Sequence, residues 1–282
     1  MTERPAPNSA DESEVVRYSV DGAVAYVTLA RPAFSNSQNA RMTYAIDDAY
    51  ERAVEDESVA VIVLRGEGKH FSAGHDLKEL NTGELAARRS TAEGKLDHEQ
   101  EMYFDRCVKI RDFPKVTIAA VQGACSAAGL MLACMCDLIV AADDARFSNP
   151  VLRMTGAGVE LLVEPWELGA RKAKEFLLCA ETLGADEAER LGLVNQVVPR
   201  AELAAAARAM ADKVALVPPV TARAVKDSIN HVLDLQGQRE SWRYHFMVHQ
   251  YVSNTETALS AAAARKGGGM DAVKAEQRGE RA

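Results

Sequence analysis

The 282-residue chain has no excess of positive charge, since 33 lysine and arginine residues against 41 acidic ones give a net charge of −8. It has no basic block or stripe that could neutralise the phosphates of a nucleic acid, so nucleic-acid binding is disfavoured. No apolar run approaches the roughly 20 residues of a membrane span, and the polar N-terminus lacks the apolar centre of a secretory signal. We therefore expect a cytoplasmic protein that acts on a small molecule.

The chain also lacks an even set of cysteines. Its five cysteines lie mostly in apolar helical contexts, which predicts reduced, buried thiols and not disulfides. Cys134 and Cys136 suggest a metal site, but residues two apart point to different faces of a helix, which favours core packing. His245 and His249 lie one helical turn apart without a matching carboxylate, so we expect a surface or interface helix and no metal site.

No internal repeat or linker interrupts a composition that is 48% apolar and 26% charged, as in globular proteins. Alternating apolar runs on either side of Asp21-Gly22 predict a β-hairpin, and Asn39 is a candidate N-cap for the helix that follows. The continuous apolar runs "VAVIVLRG", "VTIAAVQG" and "LIVAAD" predict strands covered on both faces. Because helical patterns alternate with these strands, the sequence predicts an α/β fold.

Three further expectations concern the domain organisation. Residues 81–112 are strongly charged and roughly helical, which predicts a mobile or surface-lying segment, whereas residues 164–183 predict one amphipathic helix. From Ala201 onward the pattern is helical. We predict a disordered segment over 1–13, an α/β core over 14–215 and a helical region over 216–282.

Two segments combine the end of a buried strand, small residues and the start of a helix: "VLRGEGKHFSAGHDLKEL" and "VTIAAVQGACSAAGLMLAC". Each places free backbone N–H groups at the carboxyl end of a strand, the second of them at a helix N-terminus, which favours negative charge. Fixed donors of this kind form an oxyanion hole in an enzyme. Small residues also permit close packing of a helix on a strand, so the residues alone leave both interpretations open.

The series of motifs resembles the crotonase (enoyl-CoA hydratase/isomerase) superfamily. The resemblance is carried by Arg31-Pro32 with Asn39-Ala40, by the first of the two segments, by "FPKVTIAAVQGACSAAGLMLACMCDLIVAADDARFSNP" and by "GARKAKEFLLCAETLGADEAERLGLVNQVVP", which together span most of residues 14–200. It implies an α/β fold built as a spiral of ββα units. It also implies an acyl-CoA thioester as substrate, no separate cofactor, and C-terminal helices that make the contacts of a homotrimer or a dimer of trimers.

Members of this superfamily commonly polarise the thioester carbonyl with two backbone N–H groups. The resemblance assigns them to His75, after the glycine of "SAGHD", and to Ala128 at the helix entrance, with Gly129 as the neighbouring alternative. The residues implied to line the substrate are Ser72, Ala73, Gly74, Asp76, Leu77, Gly129, Met131, Val151 and Arg31.

Some of these side chains have a second interpretation. Arg31, Lys69 and Lys78 could meet the phosphates of coenzyme A, or each could be a solvated base. Asp76 is more typical of a group that caps a turn or a helix.

The two catalytic glutamates of hydratases in this superfamily are missing. The corresponding positions hold Met131 and Val151, and neither side chain can exchange a proton near neutral pH. Some relatives instead place one carboxylate about eight or nine residues further on, which falls at Glu160. Between Gly158 and an apolar run, we expect Glu160 to be partly buried with a raised pKa; a solvated loop acid is the alternative, and the His75 ring is the next candidate proton carrier.

These observations lead to one principal hypothesis and two alternatives. The principal hypothesis is an acyl-CoA enzyme that stabilises a thioester enolate and moves a proton with one acid, which suits a double-bond isomerase better than an ordinary hydratase. The first alternative is an atypical enoyl-CoA hydratase, or an acyl-CoA hydrolase or lyase. The second is a catalytically silent acyl-CoA-binding subunit.

Overall fold

The computed structural model describes residues 14–154 and 156–265. The segment 1–13, for which we predicted disorder, lies outside the described residues, as do residues 266–282. Over the described ranges, no helix combines the length and the apolar character needed to cross a membrane.

Within the described residues, nine strands form two sheets. The strands are β1 (Val16–Asp21), β2 (Val24–Leu29), β3 (Val61–Gly66), β4 (Val116–Val121), β5 (Ala124–Ser126), β6 (Leu138–Ala142), β7 (Arg146–Ser148), β8 (Thr182–Gly184) and β9 (Gln196–Val198). The larger sheet has the order β1-β2-β3-β4-β6-β9 and is parallel except for the β1–β2 hairpin. The smaller sheet has the order β5-β7-β8, with β5 parallel and β8 antiparallel to β7.

The helices follow the strands and dominate the C-terminal part. They are α1 (Ala40–Glu55), α2 (Leu77–Leu80), α3 (Gly83–Arg88), α4 (Ala92–Glu99), α5 (Asp105–Arg111), α6 (Ala128–Cys134), α7 (Val151–Met154), α8 (Glu164–Leu168), α9 (Ala170–Leu178), α10 (Ala185–Leu191), α11 (Leu203–Ala215), α12 (Pro219–Leu235), α13 (Gln238–Ser253) and α14 (Glu256–Arg265). A π-helical turn over Gln100–Phe104 joins α4 to α5. The domain boundary near residue 215 stays a prediction, although the break between α11 and α12 falls there.

The chain forms a spiral whose complete turns each consist of a strand in the large sheet, a short strand in the small sheet and a helix. This order is seen in β4, β5 and α6, and again in β6, β7 and α7. The preceding turn is incomplete, because β3 is followed only by an isolated bridge from Ser72 to Cys125 in β5. The predicted α/β spiral of ββα units is confirmed, and it brings equivalent strand-to-helix turns side by side.

The large sheet is covered on both faces, as its continuous apolar strands predict. In β3, Ile62 and Leu64 join the main hydrophobic cluster, whereas Val61 and Val63 face a second cluster to which α11 contributes Ala207. This division follows from the alternation of side chains along a strand. The predicted start of α1 is also confirmed, since the Asn39 side chain accepts a hydrogen bond from the Met42 N–H.

Three local expectations were wrong. Residues 81–112 do not merely lie on the surface, because the π-helical turn buries Met102, Tyr103 and Phe104 in the main cluster. The helix expected over 164–183 is interrupted at Gly169, which has φ +73° and ψ 160° and separates α8 from α9. Cys179, at the end of α9, is exposed, whereas Cys107, Cys125 and Cys136 are buried.

Candidate active site

The first turn of the site lies between β3 and α2 and is held against β5. The Ser72 N–H donates to the Ala124 carbonyl at 3.1 Å, and the Ser126 N–H donates to the Ser72 carbonyl at 3.0 Å. Gly74 has φ +93°, a conformation that L side chains rarely adopt. These contacts fix the peptide between Gly74 and His75 beside the start of α6.

The second turn is the entrance of α6. Ala127, its N-cap, has φ +50° and ψ −118°, which for a residue with a Cβ costs about 1–3 kcal/mol. A Cβ on Gly129 would lie 2.4 Å from the Ser72 carbonyl oxygen, and one on Gly74 would lie 3.1 Å from the Ala128 nitrogen. The two turns therefore touch, and the small residues at both permit that approach.

The backbone N–H groups of His75 and Ala128 share one property, which is the lack of a protein acceptor among the described residues. Over residues 14–154 and 156–265, neither donates a hydrogen bond to another group of the protein. Ala128 is the first residue of α6, where an N–H has no intrahelical partner, and it is fully buried. Such donors favour an anionic or strongly polarised oxygen.

Glu160 lies beside this pair of turns and is only 3% exposed. Its Oε2 accepts a hydrogen bond from the His75 Nε2 at 3.0 Å. The His245 Nε2 donates to the Val159 carbonyl at 2.9 Å, which holds the backbone that carries Glu160. The expectation of a buried Glu160 agrees with this placement, and the alternative of a solvated loop acid does not.

The expected raised pKa of Glu160 is wrong. Burial raises the pKa of this carboxyl, but the charge of His75 and its hydrogen bond outweigh burial, so the pKa lies below the ordinary value of 4.5. Glu160 is therefore a carboxylate at neutral pH, which is the form that can accept a proton. The His75 ring also stacks on Tyr103, with the ring centroids 3.8 Å apart.

A second acidic group, Glu99 at the end of α4, completes the buried cluster. Its carboxylate accepts hydrogen bonds from Arg89 at 2.6 Å, from Gln250 at 2.6 Å and from the His249 Nε2 at 3.2 Å. A side-chain oxygen or nitrogen atom from each of Glu99, Glu160 and His249 lies within 4.8 Å of the other two. His245 and His249 are each 7% exposed within the chain, so their rings do not lie on the surface, whereas the alternative expectation of an interface helix stays a prediction.

Comparison with known proteins identifies the family. The family model described as enoyl-CoA hydratase/isomerase matches residues 19–267 of the chain. The chain belongs to this family. Its sequence is 39% identical over 256 residues to "Putative enoyl-CoA hydratase EchA13" of Mycobacterium tuberculosis, covering 85% of this chain and 80% of the relative.

Two further proteins are similar to this member of the crotonase superfamily. The crystal structure of a "probable" enoyl-CoA hydratase from Mycobacterium smegmatis is 43% identical, covers 87% of this chain and 97% of its own, and superposes with a TM-score of 0.82. The 2,3-dehydroadipyl-CoA hydratase of Escherichia coli is 32% identical over 210 residues, which is 73% of this chain and 78% of the relative.

The two positions that the resemblance assigns to the hydratase glutamates are apolar. Met131 lies in the first turns of α6 and is 1% exposed, and Val151 begins α7 and packs against the main cluster. Neither can exchange a proton. A buried acid nevertheless contacts the first turn, since Glu160 is hydrogen-bonded to the ring of His75.

Two of the other expected substrate contacts, Asp76 and Arg31, bond to the protein itself. Asp76 caps α2 by accepting from the N–H groups of Lys78 and Glu79, and it pairs with Arg31 at 2.9 Å. Arg31 is therefore buried and engaged, unlike the exposed Lys69 and Lys78.

The remaining three expected contacts belong to the first turn. Ser72 is fully buried and its hydroxyl accepts from the Gly74 N–H. Ala73 is exposed, and Leu77 is half-buried against the main cluster. Ser72 thus shapes the turn, while Ala73 and Leu77 stay candidates for contact with a substrate.

Sequence reasoning missed Glu99 and its hydrogen bond with His249. A signal was present, because Glu99 is followed closely by the apolar Met102-Tyr103-Phe104 in an otherwise charged segment. An apolar group of this kind predicts contact with the core, which carries the neighbouring Glu99 inward.

Proposed function

We propose that the chain binds an acyl-CoA thioester and shifts a carbon–carbon double bond from the 3 position to the 2 position. In this proposal the N–H groups of His75 and Ala128 hold the thioester oxygen and Glu160 carries the proton. Coenzyme A, as part of the substrate, is the one non-protein group required.

The two turns support enolate stabilisation. Among the residues that the structure describes, no group accepts a hydrogen bond from the N–H of His75 or Ala128, and the strained backbone at Ala127 is the kind of outlier found at functional sites. Fixed dipoles aimed at a developing oxyanion require no reorganisation during the reaction, which makes them effective in a site that excludes water.

Glu160 supports proton transfer. As a carboxylate it takes the proton from the α-carbon of a 3-enoyl thioester, and the electron pair moves to the thioester oxygen to give a dienolate. Glu160 then returns the proton to the γ-carbon as the electrons move back, which leaves a 2-enoyl thioester. One acid suffices for this sequence, whereas hydration also requires the addition of water.

One observation carries the proposal: the buried Glu160 carboxylate lies 3.0 Å from the ring of His75, the residue whose own backbone N–H is the proposed oxyanion donor. His75 thereby connects the proposed base, Glu160, to the proposed donor that polarises the thioester carbonyl. The short distance between the Glu160 carboxylate and His75 supports proton transfer at a carbon next to the polarised thioester carbonyl.

Steady-state kinetics with 3-enoyl-CoA and 2-enoyl-CoA substrates tests this proposal. We expect isomerisation, and we expect Glu160→Gln to lower kcat by about 10²–10⁴-fold with little change in KM, since the amide keeps the volume but loses the base. The matched control is Glu164→Gln, because Glu164 is also a buried glutamate, 2% exposed, that bonds to Asn149 outside the cluster.

The control variant should keep wild-type activity. Normal hydration rates that do not depend on Glu160 would contradict the proposed mechanism. Thermal stabilisation by acyl-CoA without turnover of any thioester would instead favour a binding-only subunit.

Hydration of a 2-enoyl thioester is the second candidate, favoured by the hydratase names of the relatives. In that case the His75 ring and Glu160 would together replace the missing pair of glutamates. Loss of hydration in both Glu160→Gln and His75→Gln, with no isomerisation of 3-enoyl-CoA, would establish this candidate in place of the first.

A further inference from the structure

A second histidine–carboxylate pair lies directly behind Glu160. Glu99 is 2% exposed, Glu160 is 3% exposed and His249 is 7% exposed, and their polar atoms lie within 4.8 Å of one another. Two buried carboxylates at this separation cannot both be charged unless cations lie between or beside them. The arrangement therefore raises the question of which group balances Glu160.

We propose that His249, held by Glu99, is a positioning residue that keeps Glu160 in its charged, proton-accepting form. This inference rests on the proposed function, in which Glu160 carries the proton. It assigns a role to the C-terminal helix α13, which supplies His249, in the chemistry of a site built by the α/β core.

The groups that face the cluster come from six parts of the chain. They are His75 from the first turn, Arg89 from the residue after α3, Lys95, His98 and Glu99 from α4, Tyr103 and Cys107 from the π-helical turn and α5, and His245 and His249 from α13. Several of these groups are neutral at pH 7. Burial lowers the pKa of His98 to about 4 and lowers that of His245, and it raises the pKa values of Tyr103 and Cys107.

The cations divide unequally between the two carboxylates. Arg89 donates to Glu99 at 2.6 Å, and Lys95 lies 3.9 Å from the same carboxylate. Burial lowers the pKa of His249, but the hydrogen bond to Glu99 and the charge of Glu160 raise it overall. His249 is therefore hydrogen-bonded to Glu99 and lies within 4.8 Å of Glu160, and its positive form lowers the pKa of Glu160 in addition to the larger effect of His75.

Two carboxylates and an imidazole are also a donor set for a divalent cation. Glu99, however, already accepts hydrogen bonds from Arg89, Gln250 and His249. A metal ion there would meet the guanidinium charge at close range. The bonding thus favours a hydrogen-bonded ion network over a metal site.

The first test is the pH dependence of kcat/KM for 3-enoyl-CoA in His249→Gln. Glutamine can still donate to Glu99 but carries no charge, so the midpoint of the acidic limb should rise by roughly one to three pH units, the effect of removing an opposite charge at about 4–6 Å. The matched control is His231→Gln, which changes an exposed histidine of α12 and should leave the limb in place.

The shape of the pH profile separates positioning from simple damage. Positioning predicts that kcat recovers at high pH with KM unchanged. An unshifted limb, or a uniform loss of kcat at every pH, would overturn the proposal.

The second test does not depend on activity. In the full-length protein with ¹⁵N-labelled histidine, the His249 ring should titrate above the ordinary 6.5 and should titrate lower in Glu99→Gln, with His249→Gln used to assign the resonance. A His249 ring that stays neutral from pH 6 to 8 would overturn the pair. So would Zn²⁺ binding that is lost in His249→Gln, since it would make the cluster a metal site.

The two tests fail independently. If His249 titrates as expected but no 3-enoyl-CoA is isomerised, the proposed function is contradicted and the pair does not serve that reaction. If isomerisation is seen and His249 is neutral, the proposed function stands and the pair is rejected.

Discussion

At the scale of single residues, Glu160 illustrates what local sequence can and cannot reveal. The flanking Gly158 and the apolar run indicated burial, and the carboxyl is buried. The expected rise of its pKa was wrong because His75, 85 positions away in the chain, lies against the carboxyl. The charge and the hydrogen bond of His75 lower the pKa of Glu160 by more than burial raises it. Such a partner becomes visible only when the chain is folded.

The small residues of the two turns were more predictable, because their effect is local. Gly74 and Gly129 were expected from the strand-to-helix pattern, and each meets the backbone of the opposite turn. The two turns pack closely because their residues are small, and this close approach places the Ala128 nitrogen beside Gly74.

This contact predicts the effect of Gly129→Ala. The added Cβ would lie 2.4 Å from the Ser72 carbonyl oxygen, so the first turn must shift. We expect a loss of about 1–3 kcal/mol in the free energy of unfolding, the usual cost of overpacking, together with a lower kcat.

Urea unfolding and steady-state kinetics measure both effects. Gly184→Ala is the control, because Gly184 has φ −76° and an added Cβ would approach no atom closer than 3.8 Å. Equal behaviour of the two variants would contradict the packing role of Gly129.

At the scale of elements, the segment 81–112 was the largest error. Its charges suggested a surface position, yet its second half forms the π-helical turn, whose Phe104 packs on Phe246 of α13 with ring centroids 5.1 Å apart. The two elements are about 140 residues apart in sequence, so no local pattern predicts that they meet. This packing is what brings Glu99 to His249.

The helix α12 is joined to the α/β core by a buried ion pair. The Lys226 Nζ lies 2.8 Å from Asp137 Oδ2, and the same oxygen accepts from the Thr117 N–H at 2.8 Å. The Lys226 side chain is 5% exposed and that of Asp137 is 20% exposed. Removing the cation leaves a largely buried carboxylate without its charge partner.

We therefore expect Lys226→Met to lower the free energy of unfolding by about 3 kcal/mol, which urea denaturation measures. Arg223→Met on the same helix is the control. Its pair with Asp227 is mostly exposed, with side chains 62% and 55% accessible, and such pairs contribute about 0–1 kcal/mol. A similar loss in both variants would contradict the anchoring role of Lys226.

At the scale of the whole molecule, the spiral of ββα units could be predicted because its motifs are long and occur in a fixed order. The arrangement of helices after residue 215 could not, since their amphipathic patterns do not identify which face meets the core. Several apolar side chains of this region are exposed within the single chain, among them Val220, Ile229, Leu235, Tyr244 and Tyr251. Exposed apolar side chains in such number on neighbouring helices are typical of contacts between subunits.

We expect the chain to sediment as a homotrimer or a dimer of trimers, at three or six times its mass of 30.5 kDa. Leu235→Glu should dissociate the assembly, because a charge would be buried in the contact. Leu178→Glu is the control, since Leu178 is comparably exposed on α9, at 71% against 75%. Sedimentation of the wild-type chain as a monomer would contradict this expectation.

We propose that this site moves a proton with one carboxylate and does not add water. Mass spectrometry of the products formed from 3-enoyl-CoA in H₂¹⁸O tests it most directly, with Glu160→Gln measured alongside. We expect 2-enoyl-CoA without ¹⁸O from the wild-type chain and almost no product from the variant. A 3-hydroxyacyl-CoA that carries ¹⁸O as the main product, formed equally well by both proteins, would contradict it.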